Sequence, residues 1–261
     1  LFSTSLKISP KKITILGGTS GDTGSAAIHS FKSRKDINVF ILHPHNKVSP
    51  IQQKQMTTVI DKNIFNIAVD GNFDDCQKIV KELFVDDEIQ ESTSLTAVNS
   101  INWARLIAQV VYYFWSCLQT DKHQINFIVP SGNFGNIFSA FVAKQMGLPI
   151  GHLHIATNSN DILKSIVDTG EMKKKSVSQT YSPSMDIQVS SNFERQIFES
   201  LNRDSKRVNE VFESFSSKGF YQFDDSVLAK FQQIYKASSI DDNQTLETIK
   251  SVSYTHLRAH E

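Results

Sequence analysis

Short apolar runs of β type alternate with helical patterns along most of the chain. The candidate strands are Ile13 to Leu16, Asn38 to Leu42, Ile64 to Val69, Asn126 to Val129 and Leu153 to Ala156. The helical patterns between them include Phe73 to Leu83, Ile101 to Leu118 and Phe138 to Gln145. This order predicts an α/β fold with a mostly parallel sheet covered by helices. From about Phe193 the pattern becomes mainly helical, with the polar stretch Asn202 to Asn209 as a turn.

A glycine-containing turn follows the candidate strand that ends at Val129. Its residues are Ser131-Gly132-Asn133-Phe134-Gly135-Asn136, and a helical pattern resumes after them. The two glycines allow positive φ and leave no side chain in the way, so N–H groups at a helix start can converge on one anion. Plain strand-to-helix connections also use such turns. We call residues 131–136 the phosphate cup, a candidate ligand site.

A second loop of this kind follows the first candidate strand. It reads Gly17-Gly18-Thr19-Ser20-Gly21-Asp22-Thr23-Gly24 and precedes the helical run that starts at Ser25. The hydroxyls of Thr19, Ser20 and Thr23 beside helix-start N–H groups suit a carboxylate. The alternative is that Ser20, Asp22 or Thr23 merely caps the helix. We call residues 19–24 the hydroxyl loop, and both loops are expected at the carboxyl ends of parallel strands, where such sheets bind ligands.

The hydroxyl loop resembles the substrate-carboxylate loop of the fold-type II pyridoxal-phosphate enzymes. Asp22 stands where cysteine synthases carry Asn, and this version resembles the threonine synthases. Four further runs agree with that family, and they cover residues 49–59, 97–105, 156–163 and 182–195. The likeness extends from about Lys12 to Ser251. It implies two interleaved lobes of mostly parallel sheet covered by helices, a helical C-terminal part, and pyridoxal 5'-phosphate bound between the lobes.

The resemblance also implies roles for individual residues. The cofactor phosphate would be held by the phosphate cup, that is by Ser131, Gly132, Asn133, Phe134, Gly135 and Asn136. Asn136 departs from the family's frequent Asp, which removes a negative charge beside a dianionic phosphate, although its side chain could simply cap the following helix. Thr19, Ser20, Gly21 and Thr23 would hold the substrate carboxylate. Asp22 would face the ring oxygen of the cofactor or act as a helix cap.

A polar segment at the start of the Ile101 to Leu118 helix is a further candidate. Polar residues packed beside Trp103 must find partners or face a cavity. In the family this segment approaches the active cleft, so Asn99 and Asn102 are candidates for substrate binding, with a structural role as the alternative. Arg105 could pair with a phosphate or with a carboxylate in the core, and the sequence does not choose between them.

The ends of the chain limit the expected activity. The family holds its cofactor as a Schiff base on a lysine upstream of the hydroxyl loop, and Lys7, Lys11 and Lys12 stand in no matching motif. No catalytic residue is therefore assigned. Residues 252–261 resemble a translated sequencing adapter, so His256 and His260 are not interpreted as a metal pair. We expect residues 1–251 to be an incomplete catalytic domain with unresolved lobe boundaries, 252–261 to be a non-native tail, and the polypeptide to be inactive.

Composition fits an enzyme of the cytoplasm. Among 261 residues, Lys+Arg and Asp+Glu balance at 27 each, which gives no sign of nucleic-acid or anionic-membrane binding. Cys76 and Cys117 lack metal or redox spacing and are expected to be reduced and packed. No apolar run approaches the roughly 20 residues that span a bilayer, although an organelle address stays open. The aromatic band Tyr112 to Trp115 is interpreted as core packing.

The resemblance implies conversion of O-phospho-L-homoserine and water to L-threonine and phosphate, with pyridoxal phosphate as the cofactor and no metal. The partner is then a small molecule, and the sequence leaves monomer or homo-oligomer undecided. One alternative is a phospho-lyase acting on phosphorylated amino acids. Another is a non-catalytic nucleotide-binding module, which needs a Gly-x-Gly-x-x-Gly turn and an acidic residue after the second strand. The chain has His43-Pro44-His45 there.

Overall fold

A computed structural model describes residues 12–98 and 102–254, apart from the side chain of Asp74. The chain divides into two compact units, unit 1 (Leu1–Asn99) and unit 2 (Ser100–Glu261). Across the described residues the units are consecutive in sequence rather than interleaved. The predictions made for Lys7, Lys11, Asn99, His256 and His260 lie outside the described residues.

Unit 1 contains a parallel sheet of four strands in the order β3-β2-β1-β4. The strands are β1 (Ile13–Gly18), β2 (Ile37–Pro44), β3 (Ile64–Val69) and β4 (Ser94–Ala97). The helices are α1 (Asp22–Phe31), α2 (Pro50–Thr57), α3 (Phe73–Phe84) and α4 (Asp87–Ser92). Ile15 and Ile41 pack in one core with α1 and α2, whereas Leu16 and Leu42 pack in another with α3. Helices therefore cover both faces of the sheet, as a parallel sheet requires.

Unit 2 contains a parallel sheet in the order β5-β6-β9 and an antiparallel pair of short strands, β7 and β8. The strands are β5 (Ile125–Pro130), β6 (Ile150–Thr157), β7 (Glu171–Lys173), β8 (Phe220–Gln222) and β9 (Tyr235–Ser239). The helices are α5 (Trp103–Leu118), α6 (Gly135–Gln145), α7 (Ile162–Thr169), α8 (Phe193–Ser200), α9 (Ser205–Lys218), α10 (Asp225–Ile234) and α11 (Asp242–Val252). One continuous apolar core joins these elements apart from α11, which has no buried residue.

The predicted alternation of strands and helices is confirmed, with several corrections. The sequence pattern missed α2, α4, β4, β7, β8 and β9, which are short or carry few large apolar residues. The predicted turn from Asn202 to Asn209 is too long, because α9 begins at Ser205. The Asp204 side chain accepts hydrogen bonds from the N–H groups of Lys206 and Arg207 and so caps that helix.

The aromatic band on α5 is only partly core. Tyr113 is buried and Phe114 packs against the core, but the exposed fractions of Tyr112 and Trp115 are 60% and 64%. The core prediction is therefore wrong for these two residues, because a helix turns them away from the side that Tyr113 presents to the core.

The two cysteines are unpaired, with Cys76 buried and Cys117 partly exposed. Burial, with a smaller contribution from the charge of Asp75, raises the pKa of the Cys76 thiol to about 11. The Cys76 thiol is therefore protonated at neutral pH and unreactive. Within residues 12–98 and 102–254, no helix is long and apolar enough to cross a membrane.

Candidate ligand-binding loops

The hydroxyl loop connects β1 to α1 and is organised by Thr19. This side chain is buried, and its Oγ1 accepts hydrogen bonds from the N–H groups of Gly21 and Gly24, each at 2.9 Å. The N-cap position of α1 is Gly21, which has no side chain to serve as a cap. The hydroxyl that satisfies the first turn is therefore that of Thr19, whereas the sequence suggested Ser20, Asp22 or Thr23.

Two glycines of this loop are required by their surroundings. Gly21 has φ 139°, a conformation that L side chains rarely adopt. A Cβ at Gly24 would lie 2.5 Å from Thr19 Cγ2 and 2.9 Å from Ile41 Cγ2. Gly24 thus lets α1 pack closely on the sheet while Thr19 stays beneath the loop.

Asp22 is the first residue of α1 and is exposed. Its Oδ1 accepts a hydrogen bond of 2.6 Å from Nε2 of Gln52. Gln52 also completes a capping box with Ser49 at the start of α2. The run 49–59, which supported the resemblance, therefore orients Asp22 through Gln52. A role of Asp22 towards the cofactor ring stays a prediction.

The phosphate cup connects β5 to α6, and its backbone differs from the sequence-based expectation. Gly132 and Gly135 do not have positive φ; the residue in the left-handed region is Phe134, with φ 62° and ψ 2°. The Phe134 ring is fully buried, and its centroid lies 4.9 Å from that of Phe193 and 5.4 Å from that of Tyr235. The prediction that the glycines supply positive φ is wrong: Phe134 adopts it, at a position where its ring packs against two other buried aromatic rings.

Gly132 is needed for a different reason. A Cβ at this position would lie 3.0 Å from Met185 Cα, 3.1 Å from Ile187 Cδ1 and 3.4 Å from Ser184 O. Backbone atoms of residues 184–185 therefore pack directly against the cup. On the other side, the N–H of Ser131 donates to the carbonyl of Ala156 in β6 at 2.9 Å, which fixes the start of the cup to the sheet.

The cup fits a phosphate group on two observations. Phe134 provides no side-chain cap for α6, so the first turn of this helix keeps the N–H groups and dipole that attract an anion. Nearby, Ser190 Oγ is buried without a hydrogen-bond partner in the described part of the chain. The next residue, Ser191, donates its N–H to Asn133 Oδ1 at 3.5 Å. A buried hydroxyl on the residue before this contact is what a bound acceptor would satisfy.

Asn136 contacts α5 rather than capping its own helix. The Tyr113 hydroxyl lies 3.0 Å from the Asn136 carbonyl oxygen and also contacts Asn136 Oδ1. Burial raises the pKa of Tyr113 well above its ordinary value, so this hydroxyl remains a neutral donor. The interpretation of Asn136 as a helix cap is therefore wrong.

The candidates at the start of α5 have different surroundings. Asn102 is exposed, and its Oδ1 accepts a 2.9 Å hydrogen bond from the N–H of Ala104, so it is the N-cap of α5. This favours the structural alternative for Asn102. Arg105 is half-buried, and burial lowers the pKa of its guanidinium. The guanidinium of Arg195 lies 5.3 Å from the centre of the Trp103 ring.

Sequence reasoning missed a polar cluster after β6. Asn160 lies directly before Asp161, the N-cap of α7, and is buried. The Asn160 side chain hydrogen bonds to Asp186 and to the backbone of Ser178. The runs 156–163 and 182–195 contained the signal, but only as a resemblance; nothing local in them indicates that they meet.

These observations define an α/β protein in which parallel strands end in two glycine-containing loops suited to anions. The model of the family described as pyridoxal-phosphate dependent enzyme matches residues 3–214. The chain belongs to this family.

The resemblance to threonine synthases is confirmed. The chain is 46% identical over 244 residues to the threonine synthase of Pseudomonas aeruginosa, covering 93% of this chain and 52% of the relative. It is 45% identical to that of Saccharomyces cerevisiae, covering 93% of this chain and 50% of the relative. The crystal structure of pyridoxal-phosphate-bound threonine synthase from Brucella melitensis matches with a TM-score of 0.87 and 44% identity, over 97% of this chain and 55% of that one. The chain thus spans about half the length of these relatives.

Proposed function

We propose that this chain supplies the cofactor-phosphate loop and the substrate-carboxylate loop of a threonine synthase. The reaction converts O-phospho-L-homoserine and water to L-threonine and phosphate, with pyridoxal phosphate as the cofactor. The observation that carries the proposal is the phosphate cup at the uncapped start of α6, in a chain 46% identical to a threonine synthase. A small-molecule substrate and a cytoplasmic location are part of the same proposal.

The cup residues 131–136 would hold the cofactor phosphate with the backbone N–H groups at the uncapped start of α6, whereas the N–H of Ser131 is bonded to Ala156. When bound, pyridoxal phosphate supplies the electron sink that makes protons beside the substrate amine acidic. The residues of this chain would orient the cofactor through its phosphate and the substrate through its carboxylate. Phe134, fixed by its ring contacts, holds the first turn of α6 in place before any ligand arrives.

Thr19 would donate to the substrate carboxylate. Its Oγ1 accepts hydrogen bonds from Gly21 and Gly24, which occupy both acceptor positions of a hydroxyl. The hydroxyl proton is then left for an acceptor outside the loop, and a carboxylate oxygen is a strong one. Ser20 and Thr23 complete the proposed carboxylate site, and Asn99 is proposed as a further substrate-binding residue.

No lysine of this chain is assigned to hold the cofactor, so turnover is proposed for a longer protein. We expect the 261-residue chain to bind the phosphorylated cofactor skeleton without releasing phosphate from O-phospho-L-homoserine. A longer protein carrying the lysine motif should form threonine. Formation of an oxo acid instead would favour the phospho-lyase alternative.

The binding test uses pyridoxine 5'-phosphate, which lacks the aldehyde and so cannot react with surface lysines. Pyridoxine, without the phosphate, is the matched ligand, and NAD tests the nucleotide-binding alternative. We expect pyridoxine 5'-phosphate to bind at least about tenfold more tightly than pyridoxine, since charge-assisted hydrogen bonds to the phosphate contribute about 1.5–3 kcal/mol. Equal affinities for the two ligands, or tighter binding of NAD, would contradict the proposal.

Replacing Asn136 by Asp should separate stability from ligand binding. A carboxylate in the first turn of α6 is expected to stabilise the ligand-free protein by about 0.3–1 kcal/mol and to accept the Tyr113 hydroxyl. The same charge should weaken pyridoxine 5'-phosphate binding by about 1 kcal/mol, close to fivefold, with the loss shrinking as salt is added. Denaturant unfolding and titration at two salt concentrations measure both effects. The exposed Asn209→Asp in α9 is the control, and equal effects of the two substitutions would refute the prediction.

A further inference from the structure

Asp186 is the centre of a polar cluster in unit 2. One of its carboxylate oxygens accepts hydrogen bonds from Asn158 Nδ2 at 2.8 Å, Asn160 Nδ2 at 3.0 Å and Thr180 Oγ1 at 2.7 Å. The other accepts from the N–H of Thr180 at 3.0 Å. All four donors are uncharged, and none of the ion pairs found in the described residues includes Asp186. We call Asn158, Asn160, Thr180 and Asp186 the aspartate clamp.

Two members of the clamp are fixed to the parallel sheet of unit 2. Asn158 and Asn160 directly follow the carboxyl end of β6 and are both buried. Ser239 at the end of β9 donates to the Asn158 carbonyl at 2.8 Å. The Asn160 side chain also accepts from the N–H of Ser178 and donates to its carbonyl, both at 2.9 Å. The residues that follow the carboxyl end of β6 thereby hold residues 178–186 in one position.

The segment held by the clamp and the residues that follow it contact two consecutive residues of the phosphate cup, Gly132 and Asn133. Ser184 O, Met185 Cα and Ile187 Cδ1 occupy the space where Gly132 would carry a Cβ. Further along, the N–H and the side-chain amide of Asn192 donate to the carbonyl of Asn133, at 3.2 Å and 3.1 Å. Most of these contacts are made by main-chain atoms, which adjust less readily than the ends of side chains, so they fix the cup backbone.

We propose that Asp186 is a positioning residue for the cofactor phosphate: its carboxylate holds residues 178–192 in the place that sets the backbone of the phosphate cup. The inference rests on the proposed function of the cup. A carboxylate only accepts hydrogen bonds, so it satisfies a ring of donors that an amide in its place would partly oppose. Displacement of residues 184–187 releases Gly132 and Asn133, and the N–H groups of the cup then lose their alignment on the phosphate.

The test compares Asp186→Asn with Asp161→Asn in the complete 261-residue chain. Asp161 directly follows Asn160 in the sequence. Its side chain pairs with Lys175 at 2.7 Å, on a partly exposed surface. Dissociation constants are measured for pyridoxine 5'-phosphate, inorganic phosphate and pyridoxine. We expect Asp186→Asn to weaken binding of both phosphate-containing ligands by about tenfold or more and to leave pyridoxine binding unchanged. The Asp161→Asn control should change no constant by more than about twofold.

Thr180→Val is the second variant, because it removes one hydroxyl from the clamp and leaves the Thr180 N–H in place. It should weaken phosphate binding in the same direction as Asp186→Asn but less, and it decides the question if Asp186→Asn does not fold. A lower unfolding midpoint with unchanged phosphate affinity in the folded variant would make Asp186 merely structural and refute the inference. If the parent chain does not distinguish pyridoxine 5'-phosphate from pyridoxine, the proposed function itself is wrong.

Discussion

Replacing Phe134 by Ala is expected to lower the free energy of unfolding of unit 2 by about 3–5 kcal/mol, the usual cost of removing a buried aromatic ring. The ring is fully buried and makes edge-to-face contacts with Phe193 and Tyr235. Such contacts add to the loss of buried area. Denaturant unfolding followed by tryptophan and tyrosine fluorescence measures the change in unit 2, because every Trp and Tyr of the chain lies beyond residue 100.

Comparison with glycine tests whether the left-handed backbone at Phe134 is imposed by packing. At φ 62° alanine retains the strain of a Cβ, whereas glycine does not, so Phe134→Gly should be at least as stable as Phe134→Ala. Phe141 is the matched control, since it is buried in the middle of α6. There glycine should be less stable than alanine by about 1 kcal/mol. The same order at both positions would show that Phe134 does not hold a strained conformation.

Phe134 also shows why the sequence predicted the place of the cup but not its internal geometry. The position depends on local signals, an apolar strand followed by glycines and a helical pattern, and those signals are readable from neighbouring residues. The positive φ depends on rings at positions 193 and 235, which are distant in sequence. The glycines appeared to be the only residues able to adopt positive φ, and tertiary packing placed an aromatic residue there instead.

The same division holds for the rest of unit 2. The strands β5 and β6 were predictable because each is a run of apolar residues with turn signals at its ends. β9 was not, because Tyr235 is its only large apolar residue and its pairing with β6 joins residues far apart in the chain. The aspartate clamp is likewise built from two stretches that are distant in sequence, residues 158–160 and 180–186, so that each asparagine or aspartate alone reads as a helix cap or a turn.

Thr19→Val is expected to disrupt the hydroxyl loop while nearly preserving the shape of the side chain. Two N–H groups, those of Gly21 and Gly24, lose their acceptor, and each buried donor left unpaired costs about 1–3 kcal/mol. Because unit 1 contains no Trp or Tyr, amide hydrogen exchange is the suitable measurement. We expect the protection of the Gly21 and Gly24 amides to fall, together with that of the first turn of α1.

Thr19→Ser separates the hydroxyl from the methyl group in this experiment. It keeps Oγ1 and loses only Cγ2, the atom nearest to the space that a Cβ at Gly24 would fill. The cost should be about 0.8 kcal/mol for one buried carbon, with both amides still protected. In a longer, active protein the Ser variant should keep its affinity for O-phospho-L-homoserine, whereas the Val variant should lose it. Equal hydrogen exchange in the two variants would show that the Thr19 hydroxyl does not organise the loop. The proposal that this hydroxyl donates to the substrate carboxylate would then be refuted as well.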